Sequence, residues 1–288
     1  MGIVPEDAVL SDLEPQIEAP SGNAQQRAMF GPGEVGFALD WDELTEEQQA
    51  FQAMKMRIHA AMIDRMDQEI GRVLDQLREM DAFDNTLIVF LSDNGASAEI
   101  MVRGDGHDRE SRPGAWDTYL CLGPGWSSAS NTPFRRHKIW THEGGIATPA
   151  IFHWPDGIQT PGELRHFTGH IIDLAPTLLH LADVQPPWLE AGVPRAPGAA
   201  LTPLFGEFDE TQQRGGTLFF NHAGNRALRA GNWKIVSSRI DRDEWELYDL
   251  SVDRAEQHNL AEQHPQIMGD MVRTWQQMHE RFQRDASR

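Results

Sequence analysis

The segment Ser92-Asp93-Asn94-Gly95 follows directly on the apolar run Thr86-Leu-Ile-Val-Phe-Leu91. A carboxylate beside a neutral amide carbonyl offers two hard oxygen donors, the type that Ca²⁺ and Mg²⁺ prefer, whereas Zn²⁺ would favour His or Cys. The position suits a metal, because ligands of open α/β sheets bind beyond the carboxyl ends of the strands. The plain alternative is a strand-end turn in which Asp93 and Asn94 cap the backbone. Further along, Lys138 precedes Glu143-Gly144-Gly145. Glycines there permit close backbone approach, which argues for a site loop, against the usual fate of a lysine as a solvated surface cation. His142, in the same loop, is either a proton or hydrogen-bond donor of the site or a structural histidine.

These residues need elements to hold them. The run Thr86–Leu91 shows no polar alternation, which suits a parallel strand covered by helices on both faces, and Asp84-Asn85 supplies the turn before it. Thr45-Glu-Glu-Gln48 is a capping-box pattern, and Ile58, Met62, Met66, Ile70, Val73 and Leu77 recur at helical spacing. That predicts a long helix packed on the sheet, with its methionine stripe as core rather than as a soft-metal face. Residues 1–43 read as loop, broken at Phe30-Gly-Pro-Gly33.

The stretch Ala96 to Arg136 is rich in Gly, Ser, Asp and Arg and reads as a surface excursion from the strand end. In it Arg103, His107, Asp108 and Arg109 are either substrate contacts or solvated charges, and Trp116 and Trp126 either pack the excursion onto the domain, the favoured reading, or border the substrate pocket. A short strand is predicted at Ala150–Trp154 and a helix from Ile171, with Asp173 and Pro176 at its start. Pro186, Pro187, Pro194, Pro197 and Pro203 mark a connector, with a boundary near Phe205. Beyond it, strands at Thr217–Phe220, Ala227–Arg229, Trp233–Ser237 and Trp245–Tyr248, with a hairpin at Gly231-Asn232, imply a small antiparallel sheet. Ile267, Met271, Trp275, Met278 and Phe282 form the apolar face of a helix that covers it.

The 288 residues, 40% of them hydrophobic, are enough for a sizeable core in one or two domains. Forty-four acidic against 25 basic residues give a net charge of -19, which disfavours nucleic acid and anionic membranes as partners. No run of eighteen apolar residues and no signal-peptide pattern occurs, so no membrane insertion is expected. One cysteine excludes an internal disulfide framework.

The Ser92–Gly95 block, together with Lys138-Ile-Trp-Thr-His-Glu-Gly-Gly145 and Ile172-Asp-Leu-Ala-Pro-Thr-Leu-Leu179, resembles the sulfatase family in order and spacing. The similarity continues through Asn221–Arg229 and Trp245–Leu250, from about Leu44 onward. The resemblance implies an α/β fold with an alkaline-phosphatase-like sheet, here incomplete, covered by helices and followed by a small C-terminal α+β subdomain. Residues 1–205 would be the C-terminal part of the catalytic domain and 206–288 the subdomain. It implies one divalent ion, Ca²⁺ or Mg²⁺, held by Asp93 and Asn94, and a small-molecule sulfate ester as substrate. Lys138 would contact the sulfate, and His222 would reach the pocket on a loop of the subdomain. Asn94, where related phosphatases carry His, favours the sulfatase branch.

Family members use a formylglycine made within a Cys-x-Pro-x-Arg segment, and Cys121 is followed instead by Leu122-Gly123-Pro124-Gly125. The early Asp-Asp metal pair of the family has no counterpart before Leu44. The chain therefore reads as the C-terminal portion of a sulfatase, without its nucleophile. The alternatives are a phosphomonoester or phosphonate ester hydrolase on the same scaffold, and a noncatalytic fragment that binds a partner chain.

Overall fold

The computed structural model describes residues 10–20, 28–102, 106–185, 198–209 and 211–287. The predicted capping box forms: Thr45 Oγ1 accepts from Gln48 N (3.3 Å) and Gln48 Oε1 accepts from Thr45 N (2.9 Å). It opens helix α1, Glu46–Glu79. The first half of α1 is anchored by polar groups. Buried Lys55 reaches buried Glu34 at 2.7 Å, Gln52 donates to Gly33 O (3.1 Å), and Trp126 Nε1 donates to Gln52 O (2.9 Å). Gly33 is required by this crossing, since a Cβ there would stand 2.4 Å from Cβ of Phe51.

The second half departs from expectation. Met62 is 66% and Val73 62% exposed, and Met66 and Ile63 are exposed with them. The methionine stripe is therefore not core among the described residues. Helical periodicity locates an apolar face but carries no information about what covers it.

Strand β1 (Ile88–Leu91) pairs antiparallel with β2 (Ala150–His153), Val89 opposite Phe152 and Phe90 opposite Ile151. The expected parallel neighbour is not present among the described residues. An uninterrupted apolar run states that both faces of a strand tolerate burial and does not state the direction of its neighbour. Phe152 packs on Phe205 (5.8 Å between rings), in the 3₁₀ turn Thr202–Phe205, whereas Phe90 and Ile151 face outward.

The stretch from Ala96 to Arg136 is more than a surface excursion. Ile100 is fully buried in a cluster with Ala19 and Phe30, and Gly123–Asn131 form helix α2. His107 meets Phe30 in a tilted ring contact and Arg109 donates to Met29 O, so these two brace the loop. Asp108 likewise accepts from Glu110 N within the loop, and Arg103 lies outside the described residues. Trp126 packs against Trp41, as expected of a packing tryptophan, while Trp116 is 96% exposed, contrary to that expectation.

A one-turn helix α3 (Glu143–Ile146) precedes β2, and α4 spans Leu174–Leu181 after a 3₁₀ turn at Ile171–Asp173. The proline-rich connector falls largely on residues 186–197, outside the described part. The remainder is a four-stranded antiparallel meander, β3 (Thr217–His222), β4 (Asn225–Ala230), β5 (Trp233–Ser237) and β6 (Trp245–Asp249), in sequence order. His222 ends β3 rather than lying in a loop. Helix α5 (Pro265–Ala286) lays Met271 and Trp275 on Leu228, Ile235 and Leu247, with Phe219 stacked on Trp275 at 5.2 Å. Each such buried side chain contributes about 1.5–3 kcal/mol, so this cluster is a main source of the cap's stability.

Candidate active site

The strand-end turn and the Lys138 loop are stitched together by backbone. Gly95 N donates to Gly145 O (3.1 Å), and Lys138 N donates to Ala96 O (3.0 Å). Glycine is obligatory at this seam, because a Cβ on Gly95 would stand 1.8 Å from Gly144 O and one on Gly144 2.2 Å from Arg136 O. Asn131, at the end of α2, closes the seam. Its Oδ1 accepts from Ala96 N (2.8 Å) and its Nδ2 donates to Arg136 O (3.1 Å), satisfying both loops at once. Nothing in the local sequence pattern marks Asn131 for this role, since its Ala96 partner lies 35 residues away.

Asp93 is exposed and Asn94 half-buried, and neither side chain has a hydrogen-bond partner among the described residues. Their oxygens are thus available. In kind they fit Ca²⁺ or Mg²⁺; in number they supply two of the six to eight oxygens that Ca²⁺ takes. The Lys138 ammonium is partly exposed, with Glu99 at 4.0 Å. The next residue, Ile139, holds φ at 88°, a conformation rare for a β-branched residue and a form of strain that concentrates at functional sites. The strain is restrained from the cap, where Asn225 Nδ2 donates to Ile139 O (3.0 Å) and Thr141 Oγ1 to Arg226 O (3.1 Å). Asn225 is the register partner of His222, so the β3–β4 hairpin bearing the exposed His222 docks against the Lys138 loop.

His142 is placed differently. It is fully buried, with Nδ1 3.4 Å from Arg136 and Nε2 3.4 Å from Glu246. Burial, reinforced by Arg136, Arg135 and Lys234, holds its pKa well below the usual imidazole range. An imidazole without solvent contact among the described residues favours, of the two readings, the structural histidine. Its ring atoms lie close to carboxylates of Asp241 and Glu246, a grouping that resembles a metal site. Arg136 bonds Asp241 (2.7 Å) and Arg135 lies 3.6 Å from Glu246, so guanidinium groups already stand where a cation would. Glu14 completes this network by receiving both arginines, a role that sequence reading of the first 43 residues did not supply.

Behind the glycine turn lies a buried ionic cluster. Lys234 of β5 is shared between Glu143 (2.9 Å) and Glu256 (2.8 Å), and Glu256 also accepts from Glu143 N (2.7 Å). Desolvation pushes the Glu256 carboxyl up to about 7, with Glu143 adding to the rise and Lys234 opposing it. Glu143 goes the other way: desolvation is outweighed by Lys234, Arg229 and Arg254, which hold it below the usual carboxylate range. The cluster fixes α3, and with it the glycine seam, on the C-terminal sheet.

With this geometry in view, comparison with known proteins is decisive. Residues 30–184, over half of the chain, match the family described as Sulfatase. The chain belongs to the sulfatase family. Residues 135–285 of this sulfatase also match the family described as N-sulphoglucosamine sulphohydrolase, C-terminal. An uncharacterized sulfatase of Schizosaccharomyces pombe, PB10D8.02c, is 34% identical over 260 residues, covering 82% of this chain and 45% of the relative. An arylsulfatase of Klebsiella aerogenes is 35% identical over 161 residues, covering 51% and 33%. The chain thus spans less than half the length of either relative. Among solved structures, BT4656 in complex with D-glucosamine-2-N,6-O-disulfate gives a TM-score of 0.57 at 20% identity, covering 90% of this chain and 46% of that one. The 2-O GAG sulfatase BT1596 gives 0.56 at 18%, covering 99% and 53%. At such identity they show the fold alone, the alkaline-phosphatase-like α/β architecture of sulfatases.

Proposed function

We propose that this chain supplies the metal- and sulfate-binding part of a sulfuric ester hydrolase active site, with a small-molecule sulfate ester as substrate. The observation that carries the reading is the seam that joins Asp93 and Asn94 to the Lys138 loop through Gly95 and Ala96. In this reading Asp93 and Asn94 hold one Ca²⁺, or Mg²⁺ in its place. The ion, when bound, supplies positive charge that neutralises and orients the sulfate oxygens. Lys138 binds a sulfate oxygen and offsets charge that develops on the leaving oxygen. His222, exposed on the docked hairpin, is the candidate substrate contact from the cap. No nucleophile is assigned, because Cys121 lacks the formylglycine sequence context and its thiol is half-buried, bonded to Met101 O (3.2 Å). Residues 1–205 belong on this reading to an incomplete catalytic α/β sheet and 206–288 to the subdomain. The exposed side chains Phe90 and Ile151 support an incomplete sheet.

The test is calorimetric titration of the chain with Ca²⁺, followed by hydrolysis of 4-nitrophenyl sulfate and 4-nitrophenyl phosphate. Saturable binding that Asp93→Ala abolishes is expected, with any turnover confined to the sulfate and reduced by orders of magnitude in Lys138→Ala. Undiminished Ca²⁺ binding by Asp93→Ala would remove that residue from the site. Preference for the phosphate ester would move the chain to the phosphatase reading. No ion binding and no turnover of either ester would favour the noncatalytic one.

A further inference from the structure

A cavity of about 150 Å³ lies where the β4–β5 turn meets residues 212–216 and the segment before α4. Its wall is made of hydrogen-bonding side chains, chiefly Arg214, Arg229, Gln213, Asn232, His166 and Thr168. Asp93, Asn94 and Lys138 are not among its lining residues.

The two guanidinium groups are in different electrostatic situations. Arg214 is neutralised: its terminal nitrogens pair with the buried carboxylate of Asp173, which also accepts from His170 N and Ala199 N, both at 2.8 Å. Its buried Nε finds no acceptor among the described residues. Arg229 has only a long, shared counter-charge, Glu143 at 3.9 Å. It belongs to the ionic cluster behind the glycine turn, where three bases, Lys234, Arg229 and Arg254, meet two carboxyls, Glu143 and Glu256. Lys234 takes both carboxyls at short range, leaving Arg229 3.9 Å from Glu143 and bonded to Gly231 O through Nε (3.1 Å). Burial lowers the pKa of Arg229, a penalty that a bound anion would relieve. Within a chain of net charge -19, a partly enclosed cavity ringed by donors and backed by a cluster with one surplus positive charge is built for the opposite sign.

We propose that this cavity is an oxyanion site for a carboxylate or sulfate group, with Arg229 as its charge partner and the amides of Asn232 and Gln213 as neutral donors. It is independent of the hydrolase reading, since no residue is shared.

The experiment is an amide NMR titration of the whole chain with sodium sulfate, against sodium chloride at equal ionic strength, and then with glucuronate. Saturable shifts at Gly231, Asn232 and Gln213 are expected, with a dissociation constant on the order of 1 mM. Gln213→Glu, on an exposed segment, should weaken binding by about tenfold or more, as should Arg229→Gln if it folds. Lys138→Ala should leave these shifts in place, whereas shifts at Gly95 and Lys138 that vanish in that variant would report the hydrolase site. Tighter binding of sulfate identifies an ion site, and tighter binding of glucuronate a site for the acidic group of a sugar. The proposal is overturned if neither anion gives saturable shifts around Gly231, or if Gln213→Glu titrates as the unaltered chain does.

Discussion

Asp93 and Asp173 show how surroundings divide one residue type between two roles. Asp173 is fully buried and accepts from two backbone amides and Arg214, so its charge is consumed in holding the entry to α4. Asp173→Ala would leave the Arg214 guanidinium buried without its partner, and a loss of about 3–5 kcal/mol in urea unfolding is expected. Asp93 is exposed and without a partner among the described residues, so its removal should change stability by no more than about 0.5 kcal/mol while abolishing cation binding. Glu256 gives a pH signature. Its carboxyl is raised to about 7 in the folded chain, above the ordinary value of 4.5, so the folded state holds this proton more tightly than the unfolded state. The resulting stabilisation is complete below about pH 4.5 and is lost as pH rises through about 7. The urea midpoint of the unaltered chain should therefore fall relative to that of Glu256→Gln across this window. A constant difference between the two would show that Glu256 titrates normally.

At the scale of elements, the candidate site is a seam between a strand end, a one-turn helix and a hairpin. Its closeness depends on missing side chains as much as on present ones, because Gly95 and Gly144 each leave no space for a methyl group. Gly95→Ala must push the strand end away from Gly144 O, at a cost of about 1–3 kcal/mol. Because that movement also separates Asp93 from Lys138, the variant should lose Ca²⁺ affinity even under conditions where circular dichroism shows it folded. Retained affinity would mean that the seam does not set the metal geometry. The same logic explains Ile139, whose strained backbone is tied down from two sides, by Ala96 through Lys138 and by Asn225 of the cap. The cap is thus bound to the Lys138 loop by Asn225, Thr141 and the Lys234 cluster.

Across the whole molecule, a large negative charge coexists with outward apolar surface on α1 and on the β1–β2 pair. Charge repulsion keeps such chains apart in solution, and it vanishes at the isoelectric point, here near 4.9. Light scattering should accordingly rise to a maximum near pH 5 and fall on either side. A monotonic profile would show that the exposed apolar side chains are not the source of association. No described helix is long and apolar enough to cross a membrane, which agrees with the absence of a long apolar run in the sequence.

The sequence by itself determined the local elements. Thr45 and Gln48 set the start of α1, Gly231-Asn232 the β4–β5 turn, and the spacing of Met271 and Trp275 the face by which α5 covers the sheet, because caps, turns and periodicity act between near neighbours. The motif spacing also sufficed to place the chain among sulfatases. Only the tertiary structure decided that Thr86–Leu91 pairs antiparallel, that the α1 methionines lie open, that His142 is sealed behind Arg136, and that Asn131 clasps both site loops. Each of these depends on which distant segment arrives at a given surface, and hydrophobic pattern and residue type specify a surface without specifying its partner.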